Sequence, residues 1–174
     1  MPIFRRALAL LAFVFVVAGC DTSNPGTNLA EVQGVYTFSE LRFEPVATGL
    51  APANVLARLD PERTSVEIFG DGNALLRYTL VGQTSSLAFA SARATAAGVT
   101  ITARAQDDAA KFGTLLLPAT LTLSRTPGDD RTLSRSFFRS NANPVNLEAF
   151  DAEVYRGQTR VSGTLYVTLR RERR

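Results

Sequence analysis

The chain has 174 residues, with 19 Lys and Arg against 16 Asp and Glu, a single cysteine and no histidine. The missing histidine removes Ser-His and Cys-His nucleophile pairs and imidazole metal sites, and one cysteine cannot close a disulfide within the chain. Two arginines stand among the first six residues and four in the terminal Arg170–Arg174 stretch; setting these and Glu172 aside leaves thirteen basic and fifteen acidic residues. That body is mildly acidic and carries no basic stripe, which argues against nucleic acid as a partner.

At the N-terminus, Arg5 and Arg6 precede twelve apolar residues, Ala7 to Ala18. As a helix this run spans only about 18 Å, well short of the roughly 30 Å hydrocarbon core of a bilayer. A basic start, a short apolar run and small residues at its end are the three parts of a secretory signal peptide. Val17-Ala18-Gly19-Cys20 resembles the lipobox of bacterial lipoproteins: an aliphatic residue, two small ones, then cysteine. The resemblance implies removal of residues 1–19, lipid on the Cys20 sulfur and acylation of the new N-terminus. The alternative is an ordinary signal peptide that ends near a cysteine. Each buried methylene contributes about 0.8 kcal/mol, so two or more acyl chains anchor stably. The expected location is the bacterial cell envelope, on the periplasmic side or at the cell surface. Asp21 resembles the inner-membrane retention signal of some bacteria, which leaves inner versus outer membrane open. The four arginines of the terminal stretch could touch anionic headgroups near the anchor, or form a solvated end.

Residues 20–32 read as a lipidated tether, polar and turn-rich through Asp21-Thr-Ser-Asn-Pro-Gly-Thr-Asn28. From residue 33 to 174 one β domain is expected. Gly34–Phe43 reads as a strand whose apolar face changes parity, which predicts a bulge near Ser39-Glu40. Thr64–Gly82 reads as a hairpin turning at Asp71-Gly72. Ser85–Thr95 and Gly98–Arg104 make a second hairpin. Gly113–Arg125 and Arg131–Ser140 make a third, joined by Thr-Pro-Gly-Asp-Asp. Arg160–Arg171 alternates with Val161, Leu165, Val167 and Leu169 on one face. Between these strands, Pro45–Arg63 is a long connection with a helix expected at Ala53–Leu59. Pro144–Tyr155 is read as the best helix, with Leu147, Phe150 and Val154 on one face. Long connections of this kind often serve as lids or binding segments. The fold class is therefore all-β: an eight-stranded antiparallel up-and-down barrel with one short helix before the last strand, or alternatively a two-sheet sandwich.

Gly34-x-Tyr36 at the start of the first strand and Arg170 at the end of the last resemble the Gly-x-Trp motif and packing arginine of the lipocalins (calycins). The chain has tyrosine where that family has tryptophan, and no tryptophan anywhere. The resemblance implies a lipocalin-like barrel in which Gly34, Tyr36 and Arg170 pack one barrel end. It also implies non-covalent binding of a small apolar or amphipathic ligand in the lumen, with the Pro45–Arg63 segment over the mouth.

Arg93 shares a face with Leu87 and Phe89, and Arg135 shares one with Leu133 and Phe137. If those apolar residues point inward, two guanidinium groups point inward with them and need a carboxylate from the protein or from a ligand. Tyr78 is the candidate hydroxyl beside such a headgroup. The alternative is that bulges turn both arginines to solvent. The Ala88, Ala90, Ala92 and Ala94 face could equally be the one lining the interior. Asp107-Asp108 and Asp129-Asp130 are expected in turns, and Asp71-Gly72-Asn73 lacks the later ligands of a calcium loop. No catalytic residue, cofactor or metal site is assigned, and the chain is not read as an enzyme. A second functional reading is a structural or interaction lipoprotein whose barrel is filled by its own side chains.

Overall fold

A computed structural model describes residues 28–173; the leader, Cys20 and most of the tether lie outside the described residues. The strands are β1 (Gly34–Pro45), β2 (Ala53–Asn54), β3 (Ser65–Ile68), β4 (Asn73–Tyr78), β5 (Ser86–Thr95), β6 (Gly98–Ala103), β7 (Thr120–Thr126), β8 (Asp129–Arg139) and β9 (Gly163–Arg171). All but β2 form an antiparallel ring in the order β1-β3-β4-β5-β6-β7-β8-β9, and β9 pairs back onto β1 from Tyr36↔Arg171 to Pro45↔Gly163. The expected eight-stranded barrel is therefore closed, and the sandwich alternative does not hold. The two-residue β2 lies outside the ring against Arg42 and Phe43 of β1. In β1 the register slips between Phe38 and Glu40, at the expected bulge, and the inward face passes from Tyr36 and Phe38 to Leu41 and Phe43.

Connections sort cleanly by length. Residues 69–72, 96–97 and 127–128 make tight turns at one end, while residues 46–64, 79–85, 104–119 and 140–162 gather at the other. Gly72, at φ +87°, supplies the left-handed turn residue between β3 and β4, and Asp71 Oδ1 accepts from the Asn73 amide at 3.0 Å. Helix α1 (Leu29–Val32) lies at the tight-turn end. Helix α2 (Gln106–Thr114) and the single turn α3 (Leu147–Phe150) belong to the long-loop end.

Three elements differ from the sequence expectation. Gly113–Leu117 is not strand: α2 runs through Gly113, and β7 begins only at Thr120. Leu116 takes φ 60°, so Leu115, Leu116 and Leu117 are all buried, which strand alternation does not permit. Asp107 and Asp108 occupy the first turn of α2, where carboxylates suit the helix dipole, and not a turn. The helix expected over Pro144–Tyr155 is cut to four residues. Asp151 leaves helical geometry, and its Oδ1 accepts from the Glu153 and Val154 amides, leaving Val154 outside the core. The helix expected at Ala53–Leu59 is β2 followed by one 3-10 turn, Leu56–Arg58.

Helix α2 replaces a missing strand. β6 accompanies β5 only from Ala90 onward, so the β5 edge before that point lacks a strand partner on that side. Asp108 Oδ1 accepts from the Phe89 amide at 2.9 Å, the Lys111 ammonium donates to the Leu87 carbonyl at 2.7 Å, and the Arg104 amide donates to the Phe89 carbonyl. Thus anchored, α2 drops Phe112 into the barrel, where it is 2% exposed. Phe112→Ala is expected to cost about 3–5 kcal/mol in urea unfolding. Leu87→Ala, on the outer face of the neighbouring strand, should change stability by less than about 1 kcal/mol.

Candidate functional site

A luminal ligand needs space and an inward polar group. The inward face of β5 is Ala88, Ala90 and Ala92; its register sets Ala88 beside Leu76 and Ala92 beside Ile101. Small residues on one strand leave room for large ones from its neighbours and from the long-loop end. Phe112 and Leu117 take that room, meeting Val66, Leu76, Ile101 and Leu121 around a residual cavity of about 10 Å³. Such a space holds one water at most. The lumen is filled by the chain's own side chains.

The expected ligand residues do not converge. Arg93 is exposed on the outer face of β5, with Leu87 and Phe89 outside beside it, because the alanine face is the inner one. No bulge is involved: the β4–β5 and β5–β6 registers run without a shift. Arg135 does have the inward parity, opposite Val167, but it is exposed. β7 releases β8 beyond the Ser124↔Ser134 pair, leaving that face uncovered, and the Arg135 guanidinium rests 5.6 Å from the Phe137 ring. Tyr78 is buried at the long-loop end of β4, the opposite end from Arg93.

At the tight-turn end the packing residues form a unit, with one correction. Tyr36 is fully buried and its hydroxyl donates to the Val32 carbonyl at 2.8 Å, fixing α1 across the barrel. Gly34 sits at φ +145°, where a Cβ would stand 2.9 Å from the Arg171 stem. The packing arginine is therefore Arg171; Arg170, one position earlier, faces solvent because strand alternation turns it outward. Arg171 Nη1 donates to the Glu31 and Gln33 carbonyls, while Arg125 pairs with Glu31 at 2.6 Å.

The long-loop end is held by a second set of polar contacts. Arg58 donates to the Phe150 carbonyl, pairs with Asp151 at 3.4 Å and lies 4.9 Å over the Phe150 ring. Tyr155 donates to the Ala51 carbonyl at 3.2 Å. The 46–64 and 140–162 connections are thus locked together. Asp108 is committed to the Phe89 amide, and Asp151 to Arg58 and the Glu153 and Val154 amides. The residue that sequence reasoning missed here is Arg139. Its Nε and Nη2 donate to the Asn143 carbonyl and Oδ1 at 3.1 and 3.2 Å, and its Nη1 is enclosed with no partner among the described residues. Burial lowers its pKa from the ordinary arginine value. The signal was present in the sequence, since Arg139 has the parity of Leu133, Arg135 and Phe137.

Two measurements follow from this packing. Ala90→Leu overfills the lumen and is expected to destabilise the barrel by about 1–3 kcal/mol; an open lumen would absorb the leucine without loss. Burial pushes the Tyr36 phenol above its ordinary value near 10, against the opposing pull of Arg171. The neutral phenol is the form the fold favours, so its contribution is complete below pH 10 and is lost as pH rises through the raised value. Tyr36→Phe should remove this part of the alkaline loss in urea midpoints between pH 8 and 11, while costing about 0.5–1.5 kcal/mol near neutrality for the hydrogen bond.

No protein-family model, curated protein or solved structure matches the chain.

Proposed function

We propose that the protein is an envelope lipoprotein, held at a membrane through acylated Cys20, whose barrel is a rigid body working through its surface. It serves as a structural or interaction partner of other envelope components, and its lumen carries no ligand. The observation that carries this reading is the filled interior, with about 10 Å³ left among Phe112, Leu117 and their neighbours. The position of α1 supports the orientation. The described chain starts at the tight-turn end, so a lipid on Cys20 keeps that end toward the bilayer and the long-loop end away from it. The eight residues from Asp21 to Asn28 reach at most about 26–29 Å, and Arg171 and Arg173 lie at the same end as the tether, near the headgroups. The outward end offers Val46 and Phe138, 66% and 67% exposed, on one groove beside Arg160. Exposed apolar residues grouped in this way suit protein contact.

The anchor is tested by Cys20→Ser, which should accumulate as unlipidated precursor with the leader retained; leader removal and membrane attachment as in the parent would contradict it. The functional reading is tested on the lipoprotein isolated from its own membrane, with isotope-filtered NMR after labelling of the protein. Expected are no intermolecular contacts to the methyl groups of Ile101 or Leu121. A stoichiometric molecule in contact with those methyls would make the barrel a carrier and overturn the proposal.

A further inference from the structure

Beyond the lumen, the long-loop end holds a half-open cavity of about 340 Å³ between α2, the leucines that follow it and the 140–162 connection. Ala110, Leu116, Val145, Ala149 and Phe150 supply an apolar wall, and Arg139 is the one charged residue of the lining. No carboxylate lies within ion-pair distance of Arg139 among the described residues. Among the described residues its only partners are two neutral oxygens of Asn143, with Nη1 enclosed and unpaired. Arg139 is half-buried, and a guanidinium partly withdrawn from water without a counter-charge gains when an anion arrives.

We propose that this cavity binds a small monocarboxylic acid with an apolar chain, the carboxylate pairing with Arg139 and the chain lying along the Leu116, Val145 and Phe150 wall. A charge-assisted hydrogen bond from the guanidinium favours a carboxylate over a neutral alcohol of the same shape. The cavity lies at the small end of the usual range for ligand sites, and at about 30 Å³ per heavy atom it takes roughly eleven, which suits an acid of eight or nine carbons. The walls are already in place. Arg58 holds Phe150 from behind, Asn146 caps α3 by accepting from the Ala149 amide at 3.0 Å, and Val145 bridges to Val161. The site stands outside the barrel interior, so it is compatible with a filled lumen and does not depend on the interaction role.

The test is calorimetric titration of octanoate, and separately of octanol, into the full-length lipoprotein in phosphatidylcholine nanodiscs, with empty nanodiscs subtracted. Expected are saturable one-to-one binding of octanoate, octanol weaker by tenfold or more, and a tenfold or greater loss of octanoate affinity in Arg139→Met. Arg139→Lys should recover part of that loss. Ala149→Phe, which fills the cavity and leaves the arginine in place, should also abolish binding, so the proposal stays open to test if Arg139→Met fails to fold. Arg77→Ser, exposed on the outer face of β4, should bind as the parent does. Absence of saturable binding, equal affinity for octanol and octanoate, or undiminished octanoate binding in Arg139→Met or Ala149→Phe would each overturn the assignment. Inorganic phosphate in place of octanoate should produce no saturable heat. Phosphate binding that Arg139→Met removes, with octanoate inert, would show a general anion site and overturn the acid-specific one.

Discussion

The structure depends on one geometric demand: a closed ring of eight strands encloses a volume that must be occupied. Strand alternation supplies one inward side chain in two, and on β5 those side chains are alanines. A ring built this way is underfilled on one side until something enters from an end. Phe112 and Leu117 enter, delivered by α2 and the residues that follow it. The same helix satisfies the β5 backbone where β6 does not reach, through Asp108 and Lys111. Filling the interior and satisfying the open edge are thus a single solution, and loss of either contact set weakens the other.

The two ends are closed by different means. At the tight-turn end, a short helix is pinned by Tyr36, Arg125 and Arg171, each reaching α1 or its flank from a different strand. At the long-loop end, long connections interlock through Arg58, Phe150, Asp151 and Tyr155. In the proposed orientation, an anchor at the first end presents the second, where the exposed apolar residues Val46 and Phe138 and the isolated charge of Arg139 are found. Surface chemistry at that end, together with the filled interior, is the physical basis of the proposed function.

The strand ladder was largely legible in the sequence, because alternation is local: the β1 bulge, the Asp71-Gly72 hairpin and the Val161, Leu165, Val167, Leu169 face all follow from neighbouring residues. Alternation defines two faces but does not say which one is inside. Leu87 and Phe89 are larger and more apolar than the alanines between them, which suggests an inward Arg93; the interior volume, shared with α2, requires the reverse. Helix α2 was hidden because only Phe112 of its nine residues is a buried apolar group, so it has no apolar stripe to read. Arg170 and Arg171 differ by one step of parity, and a contact with α1 decides between them. Arg139 escaped notice because its isolation depends on the 140–162 connection, which no local pattern encodes.

Xenon titration monitored on the methyl resonances of the full-length protein tests the central claim most directly, since the gas enters dry apolar cavities and perturbs the methyls that line them. A filled barrel predicts no saturable shift at Val66, Leu76, Ile101 or Leu121 as xenon pressure rises. Saturable shifts at those four residues, with the outer-face methyls of Leu87 unmoved, would reveal an accessible lumen and contradict the account.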